Sequence, residues 1–273
     1  MIHLTQPKIT LTIAGNDASG GAGIAADLKT FTEYGTYGIA ALTSIATMDP
    51  ENNWKHGVTA IDLDTVKAQL VTATAGPKIA AFKTGMLPSV GVIELIADHI
   101  KEHDMENFVL DPVMVCKGED EVLNPENAEA LRDILTPLAT ITTPNLFEAG
   151  QISGLGTLKT VDDMKAAAKK IIELGAQNVV IKGGSDLEGN QAIDLFYDGE
   201  EFTLFETEKI VRPNSHGAGC TFAAAITAGL AQGLSPLEAT KKAKSFVLAA
   251  IQHGFTYNQF VGPVYHSAKR LNH

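Results

Sequence analysis

This sequence predicts an α/β fold: a mostly parallel sheet covered by helices on both faces, with a small antiparallel edge. Three observations lead there. Short apolar, strand-like runs alternate with longer helical segments through most of the chain, the pattern of strands buried under crossover helices. Polar or glycine-rich segments follow the strand-like runs at 15–17, 83–85, 111–112, 143–145 and 182–184, where open parallel sheets bind their ligands. No proline- or serine-rich linker and no fixed-period repeat divides the 273 residues, so 1–273 is expected to be one domain.

The elements follow in order. A first strand at 9–14 runs into Gly15-Asn16-Asp17-Ala18-Ser19-Gly20-Gly21-Ala22-Gly23 and a helix at 24–34. The next strand lies within 37–45, followed by a helix at 64–75 with Asp62 or Asp64 as its N-cap. A short buried strand at 80–84 precedes a helix at 89–102. A strand at 107–110 ends at Asp111, and 125–135 is helical. The strand 140–143 stops at Pro144. The helix 161–174 is amphipathic, with Val161, Met164, Ala168, Ile171 and Ile172 on its apolar face. A strand at 179–181 meets Lys182-Gly183-Gly184. The segments 192–197 and 201–205 flank Asp198-Gly199 as a hairpin, the expected antiparallel edge. Helices at 221–233 and 236–254 complete the chain.

Apolar residues make up 45% of the chain and charged residues 19%, ordinary values for a soluble protein with a sizeable core. Lys plus Arg number 21 against 32 Asp plus Glu, a formal net charge of -11. That balance argues against broad binding of nucleic acid or anionic membranes and leaves room for a local basic pocket. The first eight residues lack the basic and apolar regions of a signal peptide. The apolar-rich stretch 221–233 is too short and too alanine-rich to span a bilayer. With no export signal, Cys116 and Cys220 are expected as free thiols in a cytoplasmic protein.

The run His216-Gly217-Ala218-Gly219-Cys220 carries the most specific chemical signal. Amides at a helix mouth attract anions and favour a thiolate. Gly217, Ala218 and Gly219 are therefore expected to form an anion hole for a transferring phosphoryl group, with Cys220 beside it. A small-residue turn with Cys220 as a buried hydrophobe is the plainer alternative. The glycines at 20, 21 and 23 match neither a dinucleotide fingerprint nor a Walker A loop. They suit a tight turn, or a backbone that a substrate approaches while Asp17 accepts its hydrogen bonds. Asn145 and Glu148 fit a helix capping box and equally a magnesium-organising pair. Lys182 suits phosphate oxygens or a solvated strand end.

Six stretches, LTIAGNDASGGAGIAADLKTF, AFKTGMLP, DPVMVCKG, TPNLFEA, VVIKGG and NSHGAGCTFAAAI, span residues 11–226. In this order they resemble the ribokinase-like superfamily, and within it the vitamin-kinase branch of hydroxymethylpyrimidine and pyridoxal kinases. The resemblance implies a three-layer α/β/α fold, a homodimer, and ATP-dependent phosphorylation of a hydroxymethyl group on a heteroaromatic ring. It assigns magnesium and the phosphates to Asn145 and Glu148, the nucleotide also to Asp111 and Lys182, and the anion hole to Gly217 and Gly219. The substrate end falls to Asp17, Gly23, His56 and Met86, with His56 equally readable as a partly exposed loop histidine. Many superfamily members carry an aspartate base where this chain has Cys220.

Typical hydroxymethylpyrimidine kinases lack a cysteine in the DPVMV segment and carry a glutamine near Met48. The segments MVCKG and ATMDP instead look like the cysteine-pair pyridoxal kinases. A thiol adds reversibly to an aldehyde, and of the two substrates only pyridoxal has one. On this resemblance Cys220 is the base on the 5′-hydroxyl and Cys116 engages the aldehyde. Phosphorylation of hydroxymethylpyrimidine or its phosphate is the alternative activity, and a non-catalytic vitamin-binding protein is a third.

Overall fold

A computed structural model describes residues 6–114, 125–184, 187, 189–210 and 214–271. Cys116 lies outside the described residues. The first half of the chain forms β1 (Ile9–Asp17), α1 (Gly23–Glu33), β2 (Tyr37–Asp49), β3 (Lys55–Ala60), α2 (Leu63–Thr74), β4 (Ile79–Thr84), α3 (Val90–Glu102) and β5 (Phe108–Leu110). There follow α4 (Pro125–Ala130), β6 (Ile141–Thr142), α5 (Leu146–Ser153), α6 (Val161–Glu173), β7 (Val179–Lys182), β8 (Gln191–Tyr197), β9 (Phe202–Glu208), α7 (Ala218–Ala231), α8 (Pro236–Gln252) and α9 (Ala268–Leu271).

The strands join in one sheet of order β3-β2-β1-β4-β5-β6-β7-β8-β9. The pairs from β2 across to β7 are parallel, as expected. The β8–β9 hairpin supplies the expected antiparallel edge. A second antiparallel edge, β3 on β2, was not legible. The sequence ends its second strand at 45, whereas β2 runs to Asp49 and turns back through Asn53 and Trp54, both at positive φ. β3 is almost wholly exposed, so it lacks the apolar alternation that marks a strand.

Single residues alternate between two cores, as a sheet buried on both faces requires. Phe82, Phe108, Leu110, Val179 and Ile181 pack with α2, α3 and α6, while Ala81, Val109, Ile141 and Val180 pack with α1, α7 and α8. Of the two candidate caps for α2, Asp62 is the one used: the Thr65 amide donates to its carboxylate at 2.9 Å. The helix expected at 125–135 is α4 followed by a wider π turn at Leu131–Leu135.

Candidate active site

β1 is flanked by β2 on one side and β4 on the other. The chain therefore reverses its direction of travel across the sheet at β1, which opens a crevice beyond the strand ends. β1 continues past its expected end at 14, and its register shifts between Ala14 and Gly15. That shift carries 15–17 over the sheet edge, where Gly23 folds back to bridge Asn16. At Gly23 φ is +58°, and a Cβ there would lie 2.2 Å from the Gly15 carbonyl oxygen. No side chain fits.

The second loop is fitted to the first. Gly217 caps α7 at φ +80°, and a Cβ on it would stand 1.8 Å from the Gly21 carbonyl oxygen. The helix consequently starts at Ala218 rather than at 221, and Cys220 sits in its first turn. The Ala218 amide, expected in the anion hole, donates instead to the Ser215 carbonyl at 3.1 Å. The amides of Gly219 and Cys220 belong to the first turn and have no acceptor within the helix.

Asp17 ties the two loops together. Its carboxylate accepts from the Ser19 amide at 2.8 Å, the Ser19 hydroxyl at 2.7 Å, the Ala22 amide at 3.1 Å and His216 Nε2 at 2.6 Å. Burial works against the charge, but the hydrogen bonds from His216 and Ser19 prevail and hold the carboxyl below its usual range. The hydrogen bonds that the sequence assigns to a substrate are thus filled by the protein itself.

Across the crevice stands a chain of alternating charges. Buried Lys83 reaches Asp27 at 3.0 Å and Asp111 at 4.0 Å, and Lys182 reaches Asp111 at 3.4 Å. The Thr12 and Thr143 hydroxyls donate to Asp27 at 2.6 Å and Asp111 at 3.3 Å. Burial alone would discharge Lys83 and Lys182, but Asp27 and Asp111 around the first, and Asp111 and Glu148 around the second, raise both above the usual lysine value. Burial pushes Asp27 up against the pull of Lys83.

Glu148 ends this chain. Asn145 and Glu148 form the capping box of α5, each amide donating to the other's side chain at 2.8 Å. Burial raises the Glu148 carboxyl to about 7, with Lys182 opposing and Asp111 adding to the rise.

Cys220 lies between the two regions, with its Sγ accepting from the Gly23 amide at 3.4 Å. The helix mouth leads one to expect an acidified thiol, and the structure shows the reverse. Burial pushes the thiol up to about 11; Lys83 pulls it down, while Asp111 and Asp27 push it further up. Loss of water outweighs the helix amides.

A cavity of ≈ 300 Å³ collects all the described residues singled out from the sequence: Asp17, Gly23, His56, Met86, Asp111, Asn145, Glu148, Lys182 and Gly217 to Cys220. His56 reaches it from β3, paired with Met48. A second cavity of ≈ 300 Å³ lies behind the same wall, sharing Lys182, Ser215, Ala218 and Gly219 with the first. Phe222, Val247 and Ile251 give it an apolar side, and its charged lining mixes Lys182, Lys209 and Lys244 with Asp194 and Glu208, Lys244 being ion-paired to Asp194. Lys83 and Asp27 were given no role from the sequence, nor was His216 as the partner of Asp17. The signals were a lysine inside the apolar run Ile79–Thr84 and an aspartate among the buried positions of α1.

The model of the phosphomethylpyrimidine kinase family matches residues 17–265. The chain belongs to this family. Within it, the chain is 60% identical over 262 residues to a pyridoxine kinase of Bacillus subtilis, covering 96% of this chain and 97% of that one. Its identity to a hydroxymethylpyrimidine/phosphomethylpyrimidine kinase of the same organism is 38%, over 96% of each chain. A pyridoxal kinase from Staphylococcus aureus, solved with AMP-PCP and pyridoxal, superposes with a TM-score of 0.93 at 49% identity, over 98% of this chain and 96% of that one. The layered ribokinase-like architecture implied by the six stretches is the one found. No helix among the described residues is long and apolar enough to cross a membrane.

Proposed function

We propose that this family member transfers the γ-phosphoryl group of ATP to the 5′-hydroxymethyl group of pyridoxal, and also of pyridoxine and pyridoxamine, yielding pyridoxal 5′-phosphate from pyridoxal in vitamin B6 salvage. The observation that carries this is the shared wall: two cavities of ≈ 300 Å³ meet at Lys182, Ser215, Ala218 and Gly219. One chamber suits a ring-bearing acceptor and the other a nucleotide, with the helix mouth between them. The choice of pyridoxal over a pyrimidine rests on the identity of 60% to a pyridoxine kinase against 38% to a hydroxymethylpyrimidine kinase.

In the mechanism, the amides of Gly217, Gly219 and Cys220 receive the charge on the transferring phosphoryl group, reinforced by Lys182. Asp17 and His216 fix the acceptor-side loop on that helix mouth. Cys220 takes the proton of the 5′-hydroxyl. Burial holds the thiol protonated in the free protein, so the active thiolate is a minor species that grows with pH. In a loose phosphoryl-transfer transition state the hydroxyl proton departs late, which lets a minor base suffice.

Asp111 and Glu148 offer hard carboxylate oxygens beside Lys182, a donor set that fits magnesium, and the raised Glu148 carboxyl marks a place where added positive charge is welcome. Asn145 already accepts the Glu148 amide through its side-chain oxygen, so its part is to orient Glu148. Bound there, magnesium would neutralise phosphate charge. Cys116 completes the proposal. Its sulfur adds to the aldehyde carbon of pyridoxal while the thiol proton passes to the carbonyl oxygen, giving a reversible hemithioacetal. The family resemblance supports a homodimer of single-domain subunits and a cytoplasmic location.

The test is turnover of pyridoxal, pyridoxine and hydroxymethylpyrimidine by one enzyme sample, followed as ADP and phosphorylated product. Pyridoxal is expected to have the highest kcat/KM. Preference for the pyrimidine overturns the substrate assignment, and tight binding without ATP consumption would establish a vitamin-binding protein. In Cys116→Ala, pyridoxal turnover should fall more than pyridoxine turnover; equal losses exclude the hemithioacetal.

A further inference from the structure

α3 carries the chain from the C-terminal end of β4 back to the start of β5, so its last turn lies at the edge of the sheet opposite both cavities. That turn and its cap carry His99, Glu102 and His103. One ligand atom from each of the three lies within 4.8 Å of the others. The two imidazoles face each other with ring centroids 4.2 Å apart. His99 is only 7% exposed, and its Nε2 is buried with no hydrogen-bond partner among the described residues. Buried polar atoms almost always have a partner. Burial first, then the neighbouring His103, lower the His99 imidazole below its usual value, with Glu102 opposing.

We propose that His99, Glu102 and His103 form a site for a borderline divalent metal ion, Zn²⁺ above all, separate from the active site. Residues three and four apart on a helix share one face, which brings the carboxylate and the second imidazole beside His99. Two imidazoles with one carboxylate suit zinc, nickel or copper, whereas magnesium demands oxygen ligands. Three protein ligands leave the fourth tetrahedral position to water. Bonds of about 2.0–2.2 Å need ligand atoms closer together than 4.8 Å. Exposed Glu102 and His103 are free to swing that remaining distance onto buried His99. The carbonyls at the end of α3 add a negative field that favours a cation. A metal here clamps the last turn of α3 to its cap.

Zinc titration of tag-free enzyme by calorimetry, with excess Mg²⁺ to fill oxygen sites, tests the assignment. Wild type should bind one Zn²⁺ whose affinity falls at least about tenfold in His103→Ala, since even an outer partner of a metal ligand is worth that much. The His103 side chain is outside the core, so the variant should fold and phosphorylate pyridoxal normally. Co²⁺ should give a visible absorption band in wild type that His103→Ala lacks. Equal Zn²⁺ affinity and equal Co²⁺ spectra in the two proteins overturn the site, whatever the outcome for the kinase activity.

Discussion

On one side of the crevice, residues 15–23 and 215–220 are fitted by contact: glycines stand where a single added carbon would strike backbone, and Asp17 binds His216 across 199 residues of sequence. On the other side, Asp27, Lys83, Asp111, Lys182 and Glu148 are held by charge, buried in alternation. In the proposed mechanism the contact-fitted region sets where a phosphoryl group sits, and it responds to shape. The charged region sets what the place favours electrically, and it responds to pH and to the loss of one partner. Cys220 takes a hydrogen bond from the first and an electrostatic field from the second.

The largest expected effect lies at that junction. Cys220→Ala should lower kcat by about 10²–10⁴-fold, the usual worth of a positioned base, with the unfolding midpoint in urea little changed. Wild-type kcat should rise with pH through the neutral range, because the thiol is held up near 11. The variant should lose that rise.

In the charged region, Lys83→Met leaves Asp27 and Asp111 buried without their shared cation. It should destabilise the fold by about 3–5 kcal/mol in urea titration. Adding Asp27→Asn should recover part of that loss, since the two side chains are coupled; strict additivity of the two substitutions would contradict the pairing.

In the contact-fitted region, Gly217→Ala should cost about 10²–10³-fold in kcat, the range for losing one donor to a developing oxyanion. Its Cβ must push the helix mouth away from Gly21. The pH dependence of that residual activity should match wild type, which separates an effect of shape from one of charge.

The smallest expected effect is on stability against pH. Between 4.5 and about 7 the unfolded chain has released a proton that folded Glu148 still holds. Stability therefore falls as pH rises through that window, and Glu148 adds no slope below or above it. Urea titrations at several pH values should show a shallower fall in Glu148→Gln than in wild type.

The two regions also differed in how far the sequence revealed them. The glycine loops were legible because their signal is local: glycines at 20, 21, 23, 217 and 219 stand beside helix starts. Most strands were legible from their apolar runs, and β3 was not, because an exposed edge carries no such pattern. The charged region was half visible. Asp111, Lys182 and Glu148 stand at strand or helix ends, whereas Lys83 and Asp27 sit inside elements where only folding reveals that they meet. The thiol was misjudged in sign. A helix mouth is visible in sequence, and the desolvation that outweighs it belongs to the packed structure.

The proposed mechanism requires Cys220 to lie between acceptor and phosphate at the wall shared by the two cavities. A crystal structure of the enzyme with AMP-PCP and pyridoxal bound measures this directly. The 5′-oxygen should lie within hydrogen-bonding reach of Cys220 Sγ, about 4 Å or less, and in line with the terminal phosphate over Gly217 and Gly219. A 5′-oxygen turned away from Sγ, or a terminal phosphate seated away from the α7 mouth, would contradict it.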